Sequence, residues 1–231
     1  MVNGICELGD QAAEGKTVSS LDWSNKEHDT LLVGYTDPLS LYNKSGLVEI
    51  WSINKREAPD YTISCQTEIT TSMFHIFKPK TIICGTSTGQ ILQYDTREKP
   101  IPFLSTQLDL GTAQKTSDGY KSHSFPISCL AMTGSENNAN IISISGDGAL
   151  CMWSVANMYK PLYRIELLNK AQELRSKEEQ EVLILSRSIS QNHPKKMIFG
   201  SEDGNVYEIS TSENDEGENI TKIFKGHKGP V

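Results

Sequence analysis

The chain has 231 residues, enough for one or two ordinary domains with a buried core. Its 22 basic and 29 acidic residues give a net charge of −7. Proteins that bind nucleic-acid phosphates through counterion release need the opposite sign. No apolar run approaches the roughly 18 residues of a membrane span, and residues 1–16 lack the basic and apolar regions of a signal peptide. The sequence therefore predicts no nucleic-acid partner and no membrane insertion, and it indicates the cytoplasm.

After a lead-in over residues 1–16, one pattern recurs four times: a strand, a tight turn with a glycine, and a second strand. A glycine in such a turn supplies the positive φ that a hairpin requires. The residue five positions later is a large apolar side chain, predicted to anchor one sheet against the next. The turn glycines are Gly46, Gly89, Gly148 and Gly204, and the anchors are Trp51, Tyr94, Trp153 and Ile209.

Each hairpin is preceded by a further strand and followed by an outer strand. Four strands per unit, without crossover helices, are typical of an all-β propeller whose blades are roughly 40 to 45 residues long. The predicted first strands are Val18–Trp23, Ile69–Phe74, Ile127–Met132 and Val182–Ser186, and the outer strands are Tyr61–Cys65, Phe103–Leu108, Tyr163–Leu168 and Ile220–Phe224.

The predicted domain is a partial propeller over residues 17–231. Its blades span about 17–66, 67–112, 123–169 and 182–224, and the next blade starts at 225–231 with Gly226-His227 followed by Pro230-Val231. Residues 170–181 form a charged insertion, with Glu173 and Lys177 at the i,i+4 spacing of a surface helix. Because a WD-repeat ring has about seven blades, we expect an incomplete propeller that is one segment of a longer polypeptide.

An ordered set of motifs resembles the WD-repeat domain of the dynein intermediate chains. The motifs are Val18–Ser24, Tyr61–Gln66, Gly85–Leu92, Asp95–Arg97, Gly146–Gly148, Cys151–Ser154, Gly200–Tyr207 and Gly226–Val231. Two anchors depart from the pattern: Tyr94 stands where tryptophan is usual and Ile209 where an aromatic ring is usual, so looser packing is expected there.

The resemblance implies a non-catalytic subunit that binds the dynein heavy chain and supports microtubule-based cargo transport. It implies no cofactor and no small-molecule substrate. In this family an extended amino-terminal region recruits the light chains and other subunits. That region has no counterpart in this sequence, so light-chain binding does not carry over. The sequence does not indicate which residues contact a partner.

Two other functions fit parts of the sequence. A WD-repeat adaptor of another complex, such as a ubiquitin-ligase substrate receptor, would share the same fold, because fold alone does not determine function. Residues Gly85–Gly89 also fit the G-x-S-x-G elbow of serine hydrolases around Ser87. That motif requires a strand before it and a helix after it, whereas Gln90–Tyr94 reads as a strand, so a hydrolase is disfavoured.

The remaining reactive side chains are interpreted as structural. The five cysteines are widely spaced and lack the pairing of a metal site, so buried thiols are expected. His123 and His227 precede predicted first strands and are expected to bond to the acidic turn residues Asp147 and Asp203. The three tryptophans, Trp23, Trp51 and Trp153, are expected to lie in the core rather than in a ligand cage. No catalytic, cofactor-binding or metal-binding residue is predicted.

Overall fold

The computed structural model describes residues 8–37, 45–55, 57–108, 121–166, 184–189, 196–201, 204–210, 220–229 and 231. A short 3₁₀ turn, Gln11–Ala13, precedes the strands. The strands are β1 Thr17–Trp23, β2 Thr30–Thr36, β3 Gly46–Ser52, β4 Tyr61–Cys65, β5 Ile69–Phe74, β6 Thr81–Thr86, β7 Ile91–Asp95, β8 Leu104–Ser105, β9 Ile127–Ser135, β10 Asn138–Ser145, β11 Ala149–Ser154, β12 Tyr163–Glu166, β13 Ile184–Ile189, β14 Lys196–Ser201, β15 Asn205–Ser210 and β16 Ile220–Lys225.

These strands form four antiparallel sheets of four strands, and each sheet uses four consecutive strands in chain order. We number them sheet 1 (β1–β4), sheet 2 (β5–β8), sheet 3 (β9–β12) and sheet 4 (β13–β16). The predicted all-β, propeller-like class is confirmed. Among the described residues, no helix is long and apolar enough to cross a membrane.

The chain divides into two compact units, Met1–Thr106 with sheets 1 and 2, and Gln107–Val231 with sheets 3 and 4. Within the first unit, the two sheets pack face to face over an apolar core. Because strand side chains alternate between faces, Val48 and Ile50 of β3 turn towards sheet 2 while Trp51 turns away. The core contains Leu32, Val48, Ile50, Ile63, Cys65, Ile69, Phe74, Ile82, Cys84, Leu92 and Tyr94.

Side-chain hydrogen bonds also connect the first strands of sheets 1 and 2. Ser19 Oγ donates to the Ile69 carbonyl at 2.7 Å, and the Asp22 carboxylate accepts the Phe74 backbone N–H at 2.8 Å. The strands come this close because a glycine, Gly34, lies beside them: a Cβ built there would sit 2.5 Å from Ser20 Oγ. The first strands therefore make the polar part of the contact between the sheets.

The second unit repeats this packing between sheets 3 and 4. Cys129, Ala131, Ile142, Ile144, Leu150 and Ile165 of sheet 3 pack against Met197, Phe199, Tyr207 and Ile209 of sheet 4. Ile209, expected to pack loosely, is only 1% exposed. An aliphatic side chain fills this position because Phe199 and Tyr207 supply aromatic rings beside it.

The outer strand of sheet 2 is shorter than predicted. Strand β8 covers only Leu104–Ser105, although the flanking N–H groups also bond to β7: that of Phe103 donates to the Gln93 carbonyl at 2.9 Å and that of Thr106 to the Ile91 carbonyl at 3.0 Å. The Ile91 N–H donates to the Thr106 hydroxyl at 2.9 Å, so a side-chain oxygen replaces the backbone acceptor there and the regular ladder ends. The predicted insertion at 170–181 lies outside the described residues. So does Val182, where the first strand of the fourth unit was predicted to begin.

Three of the four repeat glycines have the predicted backbone. Gly89, Gly148 and Gly204 have φ of 83°, 68° and 79° at the turn between the second and third strands of their sheets. Gly46 differs. It is the first residue of β3 and has no positive φ, so the prediction that it forms the hairpin turn was wrong. Glycine is required there by crowding, because a Cβ would lie 2.5 Å from the Thr67 carbonyl oxygen.

Replacing Gly46 by alanine is expected to destabilise the fold by about 1 to 3 kcal/mol, as overpacking in a well-packed interior does. The control is Gly9→Ala, where a Cβ would meet nothing within 4 Å and the φ is not positive. Urea denaturation followed by circular dichroism measures both variants. Equal midpoints for Gly46→Ala and Gly9→Ala would show that the close approach to Thr67 carries no cost.

Candidate functional site

The four predicted anchors occupy one register position in the four sheets. Each stands in the third strand opposite an equivalent second-strand residue: Leu31 pairs with Trp51, Ile82 with Tyr94, Ile141 with Trp153 and Met197 with Ile209. All four anchors are at least 98% buried. Tyr94 faces sheet 1 and Ile209 faces sheet 3, so each points to the preceding sheet of its unit.

Behind Trp153, a polar network runs through the interior of sheet 3. The Trp153 indole N–H donates to Ser143 Oγ at 2.7 Å, and Ser143 Oγ lies 2.8 Å from His123 Nε2. His123 Nδ1 lies 3.1 Å from both carboxylate oxygens of Asp147. Since an ionised carboxylate only accepts, Nδ1–H donates to Asp147. The expected pairing of His123 with Asp147 is therefore present.

Arg164 closes the network on the side of the outer strand β12. Its guanidinium lies 3.3 Å from the Asp147 carboxylate and donates to the Ser122 carbonyl at 3.2 Å. Burial alone would raise the pKa of Asp147, but the hydrogen bond and charge of His123, and then the charge of Arg164, lower it overall. Asp147 is thus held ionised between two partners, and the network ties the lead-in to β9 to three strands of the sheet.

Ser143, His123 and Asp147 have the connectivity of a serine-hydrolase triad, but their surroundings are not those of a catalytic site. Ser143 and His123 are both 0% exposed, so a substrate cannot reach the hydroxyl. The indole of Trp153 also donates to Ser143 Oγ, which lowers the electron density that a nucleophile needs. A triad acts at an accessible oxygen beside an oxyanion site. Here the same chain of hydrogen bonds stabilises a sheet.

Sheet 1 uses a different acceptor for the equivalent indole. The Trp51 N–H donates to Glu49 Oε2 at 2.9 Å, and the Tyr35 hydroxyl also hydrogen bonds to Glu49. Glu49 is 0% exposed, and burial raises its pKa. Burial, together with the negative charge of Glu49, raises the pKa of Tyr35 to about 12. The side chains around Trp51 are Val33, Tyr35 and Leu47, with Leu8 and Ala13 of the lead-in packed against them.

In sheet 2 the anchor Tyr94 bonds to sulfur instead. Its hydroxyl lies 3.1 Å from Cys65 Sγ across the contact with sheet 1. Cys65, Cys84, Cys129 and Cys151 are buried. Burial raises the pKa of the Cys65 and Cys84 thiols, and it raises that of Cys151 to about 12. Thiols that stay protonated are poor nucleophiles and poor metal ligands, so these three are packing residues.

The G-x-S-x-G sequence lacks the surroundings of a hydrolase elbow. Ser87 lies in the turn between β6 and β7, where its N–H donates to the Glu68 carbonyl at 3.0 Å. A strand, Ile91–Asp95, follows instead of a helix. Among the described residues, no group of three histidine, cysteine or acidic side chains could hold a metal ion.

The predicted partner of His227 is not tested, and the prediction for Trp23 has another outcome. His227 is exposed, and its expected partner Asp203 lies outside the described residues. His75, which the sequence did not single out, is 2% exposed, and its Nδ1 accepts the N–H groups of Phe77 and Lys78 at 3.1 Å. Trp23 is 50% exposed. The prediction that Trp23 lies in the core was wrong: it lies in β1 on the face of sheet 1 away from sheet 2, outside the cluster in which Leu8 and Ala13 pack beside Trp51.

A small groove opens between sheets 1 and 2. It has a volume of about 230 Å³, and Ile50, Tyr61 and Phe74 form part of its wall. Its rim carries an ion pair between Lys80 Nζ and Glu27 at 2.8 Å. The groove is large enough for one side chain of a partner and too small for a nucleotide-sized ligand, which needs at least about 300 Å³.

Comparison with known proteins gives relatives of one kind. Over 222 residues, which are 95% of the chain, it is 30% identical to the cytoplasmic dynein 1 intermediate chain of Drosophila melanogaster. Over 98% of the chain it is 26% identical to the dynein axonemal intermediate chain 4 of Danio rerio. The chain spans 31% and 28% of the lengths of these two relatives. No protein-family model matches it.

Truncating either indole should cost stability. Trp51→Ala and Trp153→Ala are each expected to lower the free energy of unfolding by about 3 to 5 kcal/mol, with a smaller loss for Ile209→Ala because less volume is removed. Trp153→Phe retains most of the ring and removes only the N–H that donates to Ser143. Chemical denaturation of the four variants compares them, and a loss below about 1 kcal/mol for Trp153→Ala would contradict the anchor role.

Stability should fall as the pH drops from neutral to mildly acid because of His75. Burial, followed by the charge of Lys78, lowers the pKa of His75 below its ordinary 6.5. The unfolded chain therefore binds the proton first, and the contribution is full above pH 6.5 and is lost as the pH falls towards the lowered folded value. Asp147, with its lowered pKa, loses its contribution only below its ordinary value of 3.8. The measurement is thermal unfolding between pH 7.5 and 5.

The matched control for this pH dependence is His75→Asn, which keeps an acceptor near the Nδ1 position and does not titrate. It should flatten the pH dependence between neutral pH and pH 5 while retaining most of the stability at pH 7.5. An unchanged slope in His75→Asn would assign the effect to another group.

Proposed function

We propose that this chain, a dynein intermediate chain-like protein, acts as a non-catalytic subunit of the cytoplasmic dynein motor complex. In this role its stacked sheets form a scaffold that binds the dynein heavy chain and supports microtubule-based cargo transport. The chain would work in the cytoplasm, on the microtubule cytoskeleton. The described sheets would be successive propeller blades with the boundaries predicted from the sequence.

The observation that carries this proposal is the 30% identity to a cytoplasmic dynein intermediate chain over 95% of the chain. Identity at this level, spread over both compact units, supports a common fold and a related place in an assembly. The identity to the axonemal relative is lower, 26%, which favours the cytoplasmic complex. Because the chain spans 31% of the length of the first relative, the heavy chain as partner belongs to the proposal.

The interior of the sheets is consistent with a scaffold. Three residues resemble catalytic machinery but lie in the interior of sheet 3: Ser143, His123 and Asp147. They hydrogen bond to one another and to Trp153. Some of the exposed apolar side chains lie in loops between strands, such as Phe103 and Leu162, which are 47% and 54% exposed. Loops on a rigid sheet framework are where binding proteins place their contact residues.

The test is affinity capture. The tagged 231-residue chain and a tagged longer protein containing it are each expressed in cells and recovered under conditions that keep dynein intact. We expect dynein heavy chain, identified by mass spectrometry, in both captures. Ser87→Ala is the matched control: it is half-buried in a turn and carries no catalytic function in this proposal, so it should recover heavy chain at the level of the unchanged protein.

Three results would contradict the proposal. Recovery of a ubiquitin-ligase core without dynein subunits would identify the chain as an adaptor of another complex. Recovery of axonemal heavy chains alone, in ciliated cells, would move it to the axonemal complex. A folded chain that captures no motor subunit, alone or within the longer protein, would leave the scaffold without its proposed partner.

A further inference from the structure

Glu49 is a buried carboxyl at a position that carries no acidic side chain in the other three sheets. It is 0% exposed. The register pairs it with Val33, and the equivalent cross-strand pairs are Cys84 with Leu92 in sheet 2, Ser143 with Cys151 in sheet 3 and Phe199 with Tyr207 in sheet 4. The repeated sheet therefore does not itself require a carboxyl at this point.

One of the two oxygens of Glu49 lacks a hydrogen-bond partner. Oε2 accepts the Trp51 indole N–H at 2.9 Å, whereas Oε1 has no partner among the described residues. A buried polar atom that is left unpaired costs free energy, and this holds whether the carboxyl is ionised or protonated. A hydrogen-bond donor supplied by a ligand would remove that cost.

A wide pocket beside the lead-in ends next to Glu49. It has a volume of about 670 Å³, and its wall includes Asp10 and Tyr35. Tyr35 also interacts with Glu49, and the negative charge of Asp10 acts on both of these side chains. These interactions place the carboxyl of Glu49 at the inner end of the pocket, behind Tyr35.

The lining of the pocket is acidic. Asp10, Glu14 and Glu57 line it, and among the described residues no lysine or arginine does. The acidic side chains in the described part of the chain form no group that could hold a metal ion. An organic cation suits the pocket better, because Val18 and Ala13 in its wall can pack along an aliphatic stem while the carboxylates accept from the charged end.

We propose that this pocket binds a basic side chain of a partner polypeptide, with Glu49 as the buried acceptor of its charged group. Arginine fits best, because its guanidinium presents several N–H donors in one plane and can bond to Glu49 Oε1 with the charge of Asp10 close by. Since Glu49 is fully buried, the side chain of Tyr35 has to move for this contact to form. The site lies within the first compact unit and is independent of the proposed place in a motor complex.

The experiment is an NMR titration of the 231-residue chain with a short capped peptide that has one arginine between alanines. The reporter is the indole N–H resonance of Trp51, which donates to Glu49 and is assigned by replacing the other two tryptophans with phenylalanine. We expect a saturable shift. A peptide with citrulline, the uncharged isostere of arginine, and methylguanidinium, which lacks the stem, should each bind at least about tenfold more weakly.

Two variants remove the acidic charges one at a time. Glu49→Gln keeps the shape of the side chain and an acceptor for the indole, and Asp10→Asn keeps a good cap for the turn at Gln11–Ala13. Each should weaken binding of the arginine peptide by at least about tenfold, because an interaction with a charged group is lost. Glu136→Gln, at an exposed position in the second unit, is the matched control and should bind the peptide normally.

Four results would overturn the proposal. An absent shift of the Trp51 resonance would mean that no basic side chain enters the pocket. Equal affinity for the citrulline peptide would show that the charge is not recognised, and unchanged binding by a folded Glu49→Gln, or by Asp10→Asn, would remove the acidic groups as its partners. Methylguanidinium that binds as tightly as the peptide would assign the pocket to small cations instead of a polypeptide.

Discussion

A β-sheet with apolar side chains on both faces is stable in water only when something covers each face, and this constraint organises the whole chain. Each third strand divides its side chains between the two faces: Val48 and Ile50 turn to the following sheet, and Trp51 turns the other way. A single sheet of this kind cannot bury both sets, so its stability depends on its neighbours. Leu32 of β2, which sheet 2 covers, is accordingly 0% exposed.

The features that the sequence predicts well are those set within a few residues. A glycine with positive φ and an alternating strand on either side are local signals, and they place the hairpins at Gly89, Gly148 and Gly204. The first strand of sheet 2 was predicted with the bounds that the structure has, Ile69–Phe74. Register then follows, because a slip by one residue would turn every apolar side chain to the wrong face.

The features that the sequence predicts poorly depend on a distant part of the chain. Gly46 looks like a turn glycine, but the Thr67 carbonyl 21 positions away is what excludes a side chain there. Trp23 looks like a core residue, but it lies on the face of sheet 1 turned away from sheet 2 and is 50% exposed. Ser143 and Arg164 gave no signal, since neither differs in sequence context from an ordinary strand residue. Asp147 could be paired with His123 because His123 precedes the first strand of a repeat unit and Asp147 lies in the hairpin turn of the same unit.

The anchors show why one register position can keep its role while its polar partner changes. In sheet 3 the indole donates to Ser143, and the bonds continue through His123 to Asp147 and so fix the segment that leads into β9. Burying a full charge there is tolerable because Arg164 and His123 both face the carboxylate. In sheet 1 the indole donates to Glu49, which also interacts with Tyr35, and burial raises the pKa of Glu49.

A carboxyl in that position costs less when it carries a proton, and the raised pKa of Glu49 is the direction that this requires. The lead-in to β1 is fixed by different means, the packing of Leu8 and Ala13 beside Trp51. The ring is therefore set by the need to fill the space between sheets, which is the same in both places. The acceptor of the indole N–H depends on how the segment before the first strand is attached to the sheet, and this attachment differs between sheet 1 and sheet 3.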